Sequence, residues 1–526
     1  MKTLIRNVTV ADGVDGVYPA NVLLQDEIIL RVDRGTGEKL QGDLEIDGTG
    51  LTLMPGFVDI HRHADLKPFT GERWFELNQG ITSMVSGNCG FSAFPGPGEY
   101  FDAARKYALP ILGETPAALA GLTPEEFFTS VAAQKLRNNV GYLVGNGSLR
   151  RCVCGFSDRR PDRKERQRIL DLLDRSLEAG ALGLSYGIMY TPECFDTTEE
   201  LTAMAAVAAS RGKPFTAHIR GEGGSVVASI DEMIEVGRRS GARVHISHMK
   251  AAGTDMWGWA VDEILDHIRR GREEGIDISF DAYPYTAGST SLLSLLPPEF
   301  LAGGTDGVLA AIRDPEKRKE ILKAFGKKRA DWDNYILTLG WQRVIVSDSS
   351  DPAEIGRDIR TLAEEKHADP GAFALDLLDR EDGCVPIVLE EMDPEDVRKI
   401  LREPGCILIS DSLYSAAGKP HPRKYGAFQR FIRQFVLEER VMSLQEAVSK
   451  MTCLPAAFLN LKNRGRILEG WYADLVLADM TRWRDLATYT DPVRDGSGIE
   501  KVFVNGKIAF DAGSPETACA GVLLKG

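Results

Sequence analysis

Along the middle of the chain, short apolar runs alternate with longer stretches in which apolar residues recur every three or four positions. Eight runs stand out: Phe57–His61, Thr82–Ser86, Tyr142–Gly145, Ala181–Tyr186, Pro214–His218, Val244–His248, Ile276–Asp281 and Ile407–Ser410. Runs this short, rich in β-branched and aromatic residues and bounded by Gly or Pro, read as buried strands. The stretches between them, such as Arg163–Ala179, Thr198–Arg211 and Ala260–Glu273, carry helical periodicity. Eight βα units in succession predict an α/β fold, a (β/α)8 TIM-like barrel. A doubly wound open sheet is the alternative, but no Gly-x-Gly-x-x-Gly opens any of these helices. From Asp281 to Ile407 the chain is too long for a plain loop, which predicts an inserted lobe or lid over roughly 288–400.

The ends have a different texture. Residues 1–54 alternate Leu4-Ile5, Val22–Leu24 and Ile28-Ile29 with Gly and Asp turn signals, and 463–526 repeat this in Gly470–Leu477 and Ile499–Gly506. Matching short strands at both ends predict one small β-sandwich domain, 1–54 with 463–526, around a catalytic barrel spanning 55–462.

Composition narrows the class. In 526 residues, 43% hydrophobic and 27% charged are the proportions of a water-soluble globular protein. A net charge of -14 and a pI near 5.3 argue against nucleic acid as a partner, since phosphates want a basic face. The N-terminal residues lack the apolar stretch of a signal peptide, and no segment approaches the ~20 apolar residues of a membrane span. Eight scattered cysteines without Cys-x-x-Cys pairs form no disulfide framework. A cytoplasmic location is expected, with a small molecule rather than a membrane as partner; a homo-oligomer is compatible with these features.

Barrel enzymes place their chemistry at the C-terminal ends of strands, and candidate ligands fall there in turn. His61 and His63 end the first run two positions apart, so on extended backbone both imidazoles face one space. Cys89 follows the second run, His218 ends the fifth, His248 the sixth and Asp411 the eighth. Four of the eight histidines lie at these ends, which chance placement explains poorly. His245, three positions before His248, faces the other side of its strand and is expected to be a core or interface histidine. A thiolate with imidazoles makes a zinc set. Asp411 is the expected general base, able to take a proton from water beside a metal and return it to a leaving group.

The motifs carrying these residues resemble a known family. They are Met54–Asp65 around His61-Arg-His63, Gly87-Asn-Cys-Gly-Phe-Ser92, Gly180–Ser185, His218-Ile-Arg220, Ser247-His-Met-Lys250, Asp281–Thr290, His421-Pro-Arg423, Met451–Pro455, Arg464–Ile467 and Gly470–Asp474. Over nearly the whole chain they resemble the D-aminoacylases (N-acyl-D-amino-acid deacylases) of the amidohydrolase superfamily. Cys89 stands where many members of that superfamily have a carbamylated lysine. The resemblance implies one zinc held tightly by Cys89, His218 and His248, and a second, weaker metal position lined by His61, His63 and Asp411. It implies that Lys250, Tyr283 and Arg423 bind the substrate α-carboxylate, with Ser289, Tyr190 and Leu295 completing the pocket. Two cations and a phenol suit a carboxylate, which arginine can bind through two nitrogens.

Leu295 aligns with a position where members acting on acidic side chains carry arginine, so a neutral or apolar side chain is expected. Two stretches depart from the family pattern. Asn146 stands where histidine is common and cannot act as an imidazole acid or ligand, and the loop Ser412–Pro420 is unfamiliar. The implied reaction is zinc-dependent hydrolysis of an N-acyl-D-amino acid, releasing a carboxylate and a free D-amino acid. The alternatives are a cyclic amidase of the hydantoinase or dihydroorotase type, which would keep the lysine that Cys89 displaces, and a non-catalytic barrel scaffold, which would show a degraded ligand set.

Overall fold

In the computed structural model, which describes residues 1–526 except 37–38, 72, 97, 330–331, 415–416 and 515–516, eight parallel strands close a barrel. They are β1 Phe57–Asp59, β2 Ile81–Ser86, β3 Asn139–Tyr142 continued by Val144–Gly145, β4 Leu184–Gly187, β5 Phe215–His218, β6 Val244–Ile246, β7 Ile278–Ala282 and β8 Cys406–Leu408. Each pairs in parallel with the next. A parallel bridge between Arg62 and Ser412 joins the ends of β1 and β8. Nearly every strand residue is buried, which is why these runs lack a polar alternation. The outer helices start where the sequence signals it. Asp162 with Glu165 and Thr197 with Glu200 form capping boxes, and the helix Arg163–Ala179 buries Ile169, Leu173 and Leu177 at fourfold spacing.

The strands are shorter than the apolar runs that predict them. β1 stops at Asp59, β6 at Ile246 and β8 at Leu408, so His61, His248 and Asp411 lie just past regular strand. Cys89, His248 and Asp411 each take a left-handed backbone, with φ of 52°, 36° and 49°. That region costs a residue bearing a Cβ about 1–2 kcal/mol. At three strand ends it turns a polar side chain into the barrel mouth.

Both chain ends enter one eight-stranded sheet. Its path is Lys507–Asp511, Ile499–Val504, Leu475–Ala478, Thr52–Pro55, Lys2–Ala11, Val17–Gln25, Ile28–Asp33, with Leu44–Asp47 also pairing on Lys2–Ala11. Thr52–Pro55 pairs antiparallel with Leu475–Ala478, so the seam between the two ends lies one residue upstream of β1. Ile5, Val10, Val22, Leu53, Leu475 and Leu477 form a core there, separate from that of the barrel.

Between β7 and β8 the chain builds a lobe. Ala287–Ser291, Pro386–Glu390 and Val344–Val346 form an antiparallel sheet, flanked by helices Gly304–Arg313, Pro315–Phe325, Ile359–Glu365 and Pro370–Arg380. Leu295 is 2% exposed and packs in the core of this lobe with Leu292, Ile312 and Ile387. Among the described residues, no helix is long and apolar enough to cross a membrane.

Candidate metal centre and substrate cavity

Four strand ends deliver a thiol and three imidazoles to one buried point. Cys89 Sγ lies 3.2 Å from His61 Nε2 and 3.4 Å from His248 Nε2, and His218 Nδ1 is 2.9 Å from His248 Nε2. Asp411 Oδ1 is 3.4 Å from the Nε2 atoms of both His61 and His63. The thiol therefore sits between the two ligand sets that the sequence separates. Burial alone would push the Cys89 thiol up, but the neighbouring His61 and His248 bring it well below the ordinary thiol range. A thiolate with clustered imidazoles is a donor set that fits zinc.

Carboxylates behind the rings aim them. Asp281 Oδ2 is 3.4 Å from His61 Nδ1 and 2.9 Å from His245 Nε2, while Asp281 Oδ1 accepts the backbone N–H of His248. His245 is buried, as its strand position implies, and its Nδ1 is 2.8 Å from Ser279 Oγ. Its part is to hold Asp281 rather than to reach the centre. Glu222 Oε1 lies 2.9 Å from His248 Nδ1 and 2.8 Å from Lys250 Nζ. Glu222 and the aiming role of Asp281 are missed by sequence reasoning, although Asp281 lies on the strand between those ending in His248 and Asp411.

The cavity beside this cluster is lined by His63, Cys89, Tyr190, His218, His248, Lys250, Tyr283, Ser289, Asp411 and Arg423, so most of the sequence candidates share one space. His61 lies directly behind the thiol. Leu295 is not on the wall; Phe91, Ile111, Met189, Leu389 and Leu413 supply its apolar surface. Tyr190 Oη is 3.1 Å from Thr290 Oγ1, and Ser289 Oγ donates to the Ile387 carbonyl. Arg423 Nη2 pairs with Asp411 Oδ2 at 2.9 Å. Its Nε and Nη1, and the Tyr283 hydroxyl, are buried without a hydrogen-bond partner among the described residues.

Glu391 also lines the cavity, 4% exposed and beyond ion-pair distance of any cation among the described residues. Burial raises its carboxyl to about 7. An added Cβ on Gly288 would fall 2.2 Å from Glu391 Oε1, so the carboxyl occupies the space a side chain at 288 would take. Asn146 stays outside the centre, donating to Asp196 beside the buried Arg150–Asp196 pair. The loop Ser412–Pro420 is described except at 415–416.

A model of the amidohydrolase family matches residues 44–510. The chain belongs to that family. It is 34% identical over 511 residues to an N-acyl-D-glutamate deacylase of Alcaligenes xylosoxydans xylosoxydans, covering 96% of this chain and 93% of that one. The solved N-acyl-D-glutamate deacylase of Bordetella bronchiseptica, complexed with zinc and a phosphonate mimic of the tetrahedral intermediate, shares 30% identity. It superposes at a TM-score of 0.84 over 100% of this chain and 99% of its own. A D-aminoacylase structure described by its binuclear metal centre shares 27% identity at a TM-score of 0.82, with 100% and 99% coverage. Within the amidohydrolase family, the likeness thus lies with deacylases over the full length of the chain.

Proposed function

We propose that this amidohydrolase hydrolyses the amide bond of N-acyl-D-amino acids with neutral side chains, using zinc held by Cys89, His218 and His248, with a weaker second position at His61, His63 and Asp411. The observation that carries the reading is a set of three buried donors, Tyr283 Oη and Arg423 Nε and Nη1, which lack acceptors among the described residues and belong to residues lining the same cavity as the thiol and imidazoles. Guanidinium N–H donors and a phenol suit a carboxylate. The geometry therefore supports a linear amide with a free α-carboxylate over a hydantoin-type ring, which has none. The intact ligand set argues against a scaffold.

When bound, zinc polarises the scissile carbonyl and lowers the pKa of water at the centre. Asp411 takes the proton of the attacking water and returns it to the departing nitrogen. Despite its burial, the Arg423 guanidinium and His61 hold its carboxyl well below the usual range, so it is ionised and able to accept. Because Asp411 also contacts Arg423, the base and the α-carboxylate anchor are fixed relative to each other. With two points of the substrate fixed, one enantiomer directs its side chain along the cavity.

Leu295 is off the wall, so the preference for a neutral side chain rests on Glu391. A substrate carboxylate beside it would be desolvated next to a second buried carboxyl, and one of the two would have to take up a proton. All eight cysteines are free, which supports a reducing, cytoplasmic setting. The test is amine release from N-acetyl-D-leucine, N-acetyl-D-glutamate and N-acetyl-L-leucine. Preference for the glutamate derivative would refute the side-chain claim, and equal turnover of the L-isomer would refute the stereochemical one.

A further inference from the structure

We infer that Glu222 is a positioning residue that holds the metal centre and the substrate anchor in one geometry, a single carboxylate oxygen receiving both the outward N–H of His248 and the ammonium of Lys250. The part concerning Lys250 rests on the deacylase reading above; the part concerning His248 does not.

His218 and His248 each have an inner and an outer nitrogen. His218 Nδ1 and His248 Nε2 are 2.9 Å apart, and His248 Nε2 is 3.4 Å from the Cys89 sulfur. The outer nitrogens face Glu222: His248 Nδ1 lies 2.9 Å from Oε1, and His218 Nε2 lies 4.0 Å from Oε2. His218 Nε2 is buried with no hydrogen-bond partner among the described residues. An imidazole that gives one lone pair to a cation carries its proton on the other nitrogen, and a carboxylate there fixes tautomer and ring angle. Glu222, itself 4% exposed, thus meets the outer nitrogen of His248, and its second oxygen lies just beyond hydrogen-bond length of that of His218.

Lys250 sharpens the argument. Its Nζ is 2.8 Å from Glu222 Oε1 and 3.0 Å from His248 Nδ1. An ammonium and an imidazole N–H are both donors, so that 3.0 Å approach is held by the carboxylate oxygen between them. A neutral amide in its place accepts less strongly and turns one N–H toward a donor. Lys250 and His248 then separate, and the lysine leaves its place at the cavity wall.

The loop is built to keep Glu222 there. His218 ends β5, and Glu222 follows within Arg220-Gly-Glu-Gly-Gly224. The Glu222 carbonyl accepts from Ala252 N at 2.7 Å. Asp333 of the inserted lobe accepts from Gly223 N at 2.8 Å and Ser225 N at 3.1 Å. An added Cβ on Gly221 would fall 1.9 Å from Ser225 Oγ and 2.3 Å from Asp333 Oδ2, so that clamp occupies the space a side chain at 221 would take.

The test uses purified Glu222→Gln reconstituted with zinc. Zinc affinity is read by chelator competition, without reference to turnover. KM is then read at saturating zinc for N-acetyl-D-leucine and for its carboxamide, which lacks the α-carboxylate. The zinc dissociation constant is expected to rise about 10- to 100-fold. The KM of the acid is expected to rise about tenfold or more, with that of the carboxamide little changed. Zinc affinity equal to the parent's, or equal KM changes for acid and carboxamide, would overturn the inference. If the Gln variant does not fold, Glu222→Asp is measured in the same way, with smaller losses expected in both readouts and parental values in either overturning it. A parent that leaves N-acetyl-D-leucine intact sinks the proposed activity instead, and zinc affinity alone then decides the role of Glu222.

Discussion

Replacing Tyr283 with phenylalanine removes one oxygen from a site that is 3% exposed and keeps the ring. The Arg423 guanidinium lies 4.5 Å from that ring's centroid and the Lys250 ammonium 5.8 Å, and both contacts survive the change. The hydroxyl finds no hydrogen-bond partner among the described residues, and a buried polar group in that condition costs ~1–3 kcal/mol. The variant is therefore expected to be at least as stable as the parent. Against an α-carboxylate the same hydroxyl donates a hydrogen bond to a charged acceptor, which contributes ~1.5–3 kcal/mol. Burial raises the phenol above its usual pKa, so it stays a donor throughout the assay range. At ~1.4 kcal/mol per tenfold, kcat/KM for N-acetyl-D-leucine should fall roughly 10- to 150-fold. Steady-state kinetics and thermal denaturation of the zinc-loaded proteins check both halves. An unchanged kcat/KM, or a melting midpoint several degrees below the parent's, would refute the reasoning.

Asp411→Asn is expected to keep the tight metal and lose ~10²–10⁴-fold in kcat, because an amide cannot cycle a proton; metal content and turnover are measured together, and a loss under about tenfold points to another base. Cys89→Ala should lose its zinc on dialysis, and full occupancy with normal activity would remove the thiol from the ligand set. Glu193, buried against Gly90 and hydrogen-bonded to Gly187 N at 3.2 Å, has its carboxyl pushed by burial from 4.5 to about 8. Its folded pKa is raised, so the stability it contributes is present below 4.5 and is lost as pH rises toward 8. Glu193→Gln should abolish that slope, so denaturation curves of variant and parent should diverge from pH 5 to pH 8; parallel curves would count against it.

The barrel was legible because strands buried on both faces leave uninterrupted apolar runs, and because Asp162 and Thr197 mark helix starts by local chemistry. The clustering of the candidate ligands was legible because histidines are few and fall at strand ends. Glu222 and Glu391 were not, since nothing local separates them from the other acidic residues. Glu222 acquires a role only when β6 brings His248 and Lys250 beside it, and Glu391 only when the lobe returns it to Gly288. Leu295 misled because motif spacing does not register the 3₁₀ turn Leu292–Leu295, which packs into the lobe. The left-handed backbone at His248 and Asp411 was equally unreadable, because neither is a glycine.

The seam between the chain ends has a consequence for biosynthesis. Leu53 pairs with Leu477, 477 − 53 = 424 positions later. At ~5–20 residues per second, a ribosome needs about 20 to 85 s to supply that partner. Until then Thr52–Pro55, buried at all four positions in the finished fold, is an open apolar edge of the kind that pairs with other chains. β1, with His61 and His63 just beyond it, hangs from this edge and also waits for β8 to close on it. The first candidate-ligand segment to leave the ribosome is thus among the last to be fixed in place. A chain interrupted before Leu475 keeps the edge open permanently, which makes aggregation, rather than a folded but inactive enzyme, the expected fate of late-truncated products.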